Sequence, residues 1–289
     1  MRENRPCGSE GGEAKSLPYP YRWKFPEIGW LDAVSAAKLP VMKATAKNIE
    51  RTASPDIPAR VDAIDWVQAT TDLDAQGCAV LKGLLSPEEC AALAALYPDD
   101  KNFRSKVVMG RHGFGRGEYK YFAYPLPDLI AKLRPALYAR LCGIANRWNQ
   151  TMGIDICYPL AHDAFLKRCH DAGQMRPTPL LLQYGIDDYN CLHQDLYGEH
   201  VFPLQVAILL SEPGRDFTGG EFVLTEQRPR MQSRPEVVPL AQGDAVAFAV
   251  HHRPVQGTRG FYRVNLRHGV SRIRSGHRHT VGVIFHDAK

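Results

Sequence analysis

Two hydrophobic periods divide the chain. In its first part apolar positions recur every three or four residues, the period of one helix face. "DWVQATTDLDAQG" (65–77) carries that spacing and stops at Gly77, and "CAVLKGLL" (78–85) follows as a short strand. "SPEECAALAALYP" opens with Ser86, Pro87 and Glu89, an N-cap, first-turn and capping-box set that predicts a helix start. "PDLIAKLRPALYARLCGIANRWNQTMG" is amphipathic and helical, with a kink or restart expected at Pro135. "AHDAFLKRCHDAG" predicts one more helix. After about residue 175 the period shortens. "PLLLQYG", "YNCLHQD", "FPLQVAILLSE", "GGEFVLTE", "AVAFAV", "FYRVNLRHGV" and "RHTVGVIFHD" are β-rich runs separated by turns. Evenly spaced short strands predict an antiparallel sandwich or barrel. The expected fold class is α+β, a helical N-terminal half supporting a β-barrel or jelly roll. Residues 1–18 lack periodicity and are expected to be disordered. Residues 19–174 are expected to form an aromatic- and proline-bearing arm (19–60) and the supporting helices, and 175–289 the core.

Composition narrows the class without naming a chemistry. A chain of 289 residues suits one large domain, or a domain with an N-terminal extension. No apolar run approaches membrane-spanning length, and the opening has no apolar signal core, so a soluble, cytoplasmic protein without a membrane partner is expected. Seven scattered cysteines with no Cys-x-x-Cys argue against a disulfide framework. The net charge of +5 is mild. Its distribution is not: from His251 onward there are seven arginines, one lysine and six histidines against one acid, Asp287. That excess suits an anionic substrate, cofactor or nucleic acid, or simply a solvated face.

The chemistry starts at "YNCLHQDLYGEH". On a strand, His193 and Asp195 would share a face, with Gln194 turned away. An imidazole and a carboxylate side by side can hold two positions on a divalent metal. A third ligand from a distant strand would complete a two-histidine, one-carboxylate facial triad, the geometry of non-haem iron(II) oxygenases. His251, His252 and His268 are the candidates. Arg278 lies ten residues after His268, and a hairpin would bring the two together. Its guanidinium offers a two-pronged donor to a carboxylate. Thr280 would face the same way, and Tyr184, nine residues before His193, could reach the same carboxylate.

Together "QYGIDDYNCLHQD", "VAILLSEPGRDFTGGEFVL" and "LRHGVSRIRSGHRHTVGVIFHDA" resemble the 2-oxoglutarate/Fe(II)-dependent oxygenase superfamily, nearest its prolyl-hydroxylase-like and AlkB-like branches. The matching positions are Tyr184, His193, Asp195, Gly219-Gly220-Glu221, His268 and Arg278, over about residues 180–287. The resemblance implies a double-stranded β-helix and a dioxygenase using Fe(II), 2-oxoglutarate and O2 to hydroxylate a C–H bond. It implies iron ligands His193, Asp195 and His268, with Arg278, Tyr184 and Thr280 on 2-oxoglutarate. "HHRPVQGTRG" also looks like the distal segment, but Arg259 follows His251 and His252 by only eight and seven residues, so spacing selects His268. The substrate stays open. Oxidative demethylation of alkylated DNA bases suits the arginine-rich end. Hydroxylation of a protein side chain such as proline, or of a small molecule, suits the rest of the pattern. The AlkB branch usually carries Arg-x-Asn-x-Thr after the distal histidine, and here "RHTVG" lacks that asparagine. A non-catalytic metal-binding barrel or a metal hydrolase is the reading from another class. A non-catalytic barrel would not need Arg278 and Tyr184 converging on an open metal face.

Other constellations have blander alternatives. "MGRHGFGRGEYKYF" mixes glycines with basic and aromatic residues, and reads as a substrate-clamping lid or a surface hairpin. Arg228, Arg230 and Arg234 border the active-site mouth or are only solvated. His162, Cys169 and His170 could share a zinc site on one helix, although two of them point to different sides. Glu221 orients a neighbouring strand or satisfies a backbone amide. His277 and His279 flank Arg278 and face away from it.

Overall fold

The structure is a computed structural model, and it describes residues 56–196 and 198–289. The disorder expected for residues 1–18, and the arm as far as residue 55, lie outside the described residues. The first helix, α1 (Ile57–Asp62), starts at the Asp56 cap, and α2 (Trp66–Gln76) starts at Asp65, whose carboxylate accepts from the Gln68 amide. Gly77 ends α2 in a left-handed conformation (φ 83°), as its position in the sequence predicts. Strand β1 (Cys78–Leu81) follows, then α3 (Pro87–Ala94), opened by the complete Ser86/Glu89 capping box.

The next segment departs from the expected helical half. Strands β2 (Phe103–Val108), β3 (Gly115–Arg116) and β4 (Glu118–Phe122) all precede residue 175. "EYKYF" is an internal strand rather than a surface hairpin, and Lys120 is what disguises it. Its ammonium is buried, donates to the Tyr97 carbonyl (2.8 Å) and Asp100 (2.6 Å), and sits 4.6 Å over the Tyr97 ring. Helix α4 (Asp128–Thr151) then runs uninterrupted through Pro135, where a kink or restart is expected. Its apolar face, including Leu133, Leu137, Tyr138, Leu141 and Trp148, is wholly buried. That burial outweighs the roughly 3 kcal/mol an internal proline costs. Helix α5 (His162–Asp171) falls where the pattern places it.

The remaining strands are β5 (Leu180–Tyr184), β6 (Tyr189–His193), β7 (Leu204–Leu209), β8 (Phe217–Gly219), β9 (Phe222–Gln227), β10 (Arg234–Val238), β11 (Ala245–Ala249), β12 (His252–Gly257), β13 (Gly260–Val270), β14 (Ile273–Gly276) and β15 (Arg278–Val283). They complete two antiparallel sheets. One has seven strands in the order β1-β11-β7-β15-β5-β4-β2. The other has six, in the order β10-β9-β13-β6-β3 with β12 on β13. The fold is therefore a mixed α and antiparallel β architecture. The link from His268 to Arg278 is not the expected hairpin, because β14 leaves to pair with β8. His268 and Arg278 thereby stand on different sheets.

Helices α4 and α5 pack on the large sheet through Tyr138, Phe165, Phe202 and Phe285. The C-terminal segment is tied down by a buried ion pair, Arg134 Nη2 to Asp287 Oδ1 at 2.7 Å. Tyr124 and His170 bond the other oxygen of Asp287, at 2.9 and 2.8 Å, so the charges are satisfied. Beside them His162 and His286 are buried, and burial, reinforced by the Arg134 charge, holds both imidazoles down at about 4. An unfolded histidine takes its proton nearer 6.5, so the unfolded chain protonates first as the pH falls. Stability should be full above about pH 6.5 and fall toward pH 4, by about 2 kcal/mol per histidine at pH 5. Urea midpoints at pH 7.5 and 5 check this. A His162→Gln variant should lose part of the slope, and an unchanged slope would contradict the assignment.

Candidate active site

Strand register brings the first two candidate ligands together. In the β13–β6 pair His268 and His193 are direct cross-strand partners, with ring centroids 4.2 Å apart. Asp195 is not on the same strand as His193, contrary to expectation, because β6 ends at His193. The reason is Gln194. Its side-chain amide donates to the Leu266 carbonyl (2.7 Å), at the place along β13 where a longer β6 would pair. Gln194 is therefore engaged rather than idle. The chain turns inward, and the Asp195 oxygens lie 3.5 Å from His193 Nε2 and 3.5 Å from His268 Nε2. One ligand atom from each residue lies within 4.8 Å of the others, the one such group of three among the described residues.

Local bonding prepares these groups for a cation. His193 Nδ1 donates to the Cys191 carbonyl (2.7 Å), leaving the Nε2 lone pair facing the cluster. Burial and the neighbouring His268 push the His193 imidazole below its ordinary value, so it is neutral at pH 7. Burial pushes the Asp195 carboxyl up, but the His268 and His193 imidazoles and the Gln205 amide outweigh it and hold the group at about 2. The set thus offers two imidazoles and one ionised carboxylate. The rings of Phe248 and Phe222 lie 4.6 and 6.1 Å from His268 and wall it in.

The large sheet faces this cluster with a cationic end. Arg278 and Tyr184 are cross-strand partners in β15 and β5, and the guanidinium carbon lies 5.7 Å from the Tyr184 ring centre. Arg278 Nη1 donates to the Thr280 hydroxyl at 2.5 Å, so Thr280 does share its face. All three are buried. Arg278 has no carboxylate at ion-pair distance among the described residues, and its Nε is unpaired. Burial lowers it to about 10, still charged at neutral pH. The Tyr184 hydroxyl is also buried without a hydrogen bond, and burial raises it to about 12. The Gly-Gly-Glu motif serves this end. Gly220 holds φ 67° against Ile273 and the Arg278 stem, where an added methyl would collide with both. Glu221 is at the surface, where its side chain accepts from the Ser271 hydroxyl.

Both sets line one cavity of about 360 Å³. The "GFGRGEYKYF" segment supplies its outer wall through Phe114, Tyr119 and Tyr121. Gly115, at φ 128°, lets β3 lie directly on the β6 backbone that carries His193. Gln205 of β7 also lines the cavity and was not among the expected residues. Its one sequence signal is a buried-strand run, "LQVAIL", interrupted by a single amide.

Other expected sites lie elsewhere. His251 and His252 stack on each other, and His252 bonds Asn265 at 2.7 Å. His162 bonds the Phe285 carbonyl (2.8 Å) and His170 bonds Asp287, so these two and Cys169 form no zinc site. Arg228 and Arg234 lie near the buried Glu226, which also pairs with Arg253.

The donor set and the unpaired cation fit a divalent metal beside a dicarboxylate. A family model described as "Oxygenase, catalysing oxidative methylation of damaged DNA" (Oxygenase-NA) matches residues 117–288, more than half of the chain. The chain is 50% identical over 182 residues to the proteins named Rv2227 and MT2286 of two Mycobacterium tuberculosis strains, covering 62% of this chain and 78% of each relative. Among solved structures, a Pseudomonas putida prolyl-4-hydroxylase aligns at 14% identity and TM-score 0.45, over 78% of this chain and 99% of that one. A 2OG-Fe(II) oxygenase family oxidoreductase from Burkholderia pseudomallei aligns at 18% identity and TM-score 0.45, over 77% and 92%. No described helix is long and apolar enough to cross a membrane. The chain belongs to the Oxygenase-NA family of oxygenases.

Proposed function

We propose that His193, Asp195 and His268 hold the iron, that Arg278, helped by Tyr184 and Thr280, receives the distal carboxylate of 2-oxoglutarate, and that the substrate is an alkylated base in damaged DNA. The observation that carries the site reading is the cavity shared by the three grouped donor atoms and a buried arginine that has no carboxylate partner among the described residues. We read the two sheets that line it as a double-stranded β-helix, with residues 175–289 as the catalytic core. Damaged DNA is supported by the description of the matching family. Exposed Arg259, Arg267 and Arg274 favour a polyanion.

Iron(II) with 2-oxoglutarate and oxygen supplies the oxidation of a C–H bond, with succinate and carbon dioxide as products. The protein's own work is placement. His193 and His268 present Nε2 lone pairs, and Asp195 adds the single negative charge. Arg278 neutralises a carboxylate at the other end in a dry setting, where such a pair is strongest. The phenol of Tyr184, protonated at neutral pH, has a hydrogen to donate there. Phe222, Phe248 and the tyrosine wall keep water from the reacting centre.

Two measurements test this. Anaerobic addition of Fe(II) and 2-oxoglutarate should produce a charge-transfer absorption band. Succinate release should then rise with methylated single-stranded DNA, and not with unmethylated DNA or proline-containing peptides. Stimulation by peptides alone would overturn the DNA reading, and no band at all would overturn the cofactor assignment.

A further inference from the structure

We propose that Gln205 is a positioning residue for the metal centre, its side-chain amide holding the Asp195 oxygen that does not bind the metal. This rests on the ligand assignment above. Gln205 is 4% exposed, lines the same cavity as Asp195, and its Nε2 is a buried donor without a hydrogen-bond partner. Such a donor costs about 1–3 kcal/mol unless something accepts from it. Strand register fixes its place. Gln205 is the cross-strand partner of Phe248, and the Phe248 ring packs 4.6 Å from His268. The amide therefore stands on the large sheet, across from the ligands of the smaller one.

The reason for a donor there follows from the two Asp195 contacts. Without a cation, each carboxylate oxygen faces one imidazole Nε2, at 3.5 Å. Metal binding claims both Nε2 lone pairs and one carboxylate oxygen. The second oxygen then loses its imidazole neighbour while remaining buried, and a buried anionic oxygen needs a donor. Of the other unpaired buried polar atoms in the cavity, Arg278 Nε and Tyr184 Oη belong to the β5–β15 end, and His268 Nδ1 lies on the opposite side of its own ring from the Nε2 that faces Asp195. An amide that stands near the carboxylate but makes no hydrogen bond of good geometry in the metal-free chain is the pattern of an outer partner that tightens when the metal binds.

Gln205→Met separates this from a structural role, because it keeps volume and removes the donor. Cobalt(II) serves as the probe, with the full chain in its metal-free form. Metal affinity should fall about tenfold to a hundredfold, and the visible cobalt spectrum should shift. The melting temperature of the metal-free variant should hold or rise, since an unsatisfied buried amide has been removed. A Gln205→Glu variant, placing a second carboxylate at Asp195, should lose more affinity than Gln205→Met. Unchanged affinity and spectrum in both variants, with binding abolished in Asp195→Asn, would overturn the role of Gln205 alone. Failure of the parent chain to bind cobalt(II) would overturn the ligand assignment and this inference with it. A lower melting temperature in the metal-free Gln205→Met protein, with affinity retained, would mark the residue as structural only.

Discussion

Arg278→Met should raise the 2-oxoglutarate concentration for half-maximal succinate release about a hundredfold or more, the range for removing one member of a buried charge pair. The guanidinium is the cavity's one buried cation, and no described carboxylate neutralises it. Its charge is thus held ready for an incoming acid, at a cost to the unliganded fold. That cost gives the variant a second signature. The metal-free, cosubstrate-free protein should melt no lower than the parent, because a buried charge without a partner has been replaced by an apolar chain of similar length. Fe(II) affinity should stay nearly unchanged, since His193 and His268 stand on the other sheet and Asp195 in the turn that follows β6. An unaltered half-saturation point would sink the assignment. Full loss of iron binding would show that the two ends of the cavity are not separable.

The second large effect is expected at Asp195. Asp195→Asn keeps size and shape but removes the only negative charge among the three ligand groups. Fe(II) affinity should fall beyond the ~100-fold that outer partners reach, and the charge-transfer band should vanish at equimolar Fe(II). His252→Ala is the matched control, because His252 bonds Asn265 outside the cavity. It should keep the band and the affinity. The reverse result, iron retained in Asp195→Asn and lost in His252→Ala, would move the metal to the His251–His252 pair.

The grouping of His193, Asp195 and His268 was legible in the sequence for a reason that does not depend on every intermediate step. His193 and Asp195 were expected to share a strand, yet the strand stops between them, and the carboxylate returns to the imidazole through a turn that Gln194 stabilises. Arg278 was placed beside His268 by a supposed hairpin, yet it reaches the cavity from the opposite sheet. Spacing along the chain preserved the outcome and hid the route. Other features left no such trace. Lys120 reads as a surface residue because the partners that permit its burial, Tyr97 and Asp100, are twenty or more residues away. The basic C-terminal third looked like one electropositive block, but Arg253 is spent on Glu226 and Arg278 on the cavity. Helix starts, by contrast, depend on three or four consecutive residues, so the Ser86 cap and the Gly77 stop stood as read.

The ends of the large sheet bear on how this enzyme could be divided or inherited. The family's matched region begins at Gly117, just ahead of β4, and contains His193, Asp195, His268 and Arg278. Two strands of the large sheet lie upstream of it: β1 covers β11, and β2 covers β4. All five residues of β11 are buried. A chain trimmed to the shared region would keep the His193, Asp195, His268 and Arg278 cluster and expose that apolar strand as an open edge, a template for self-association. The stretch that carries the cluster is thus shorter than the stretch that closes the edges of its sheet.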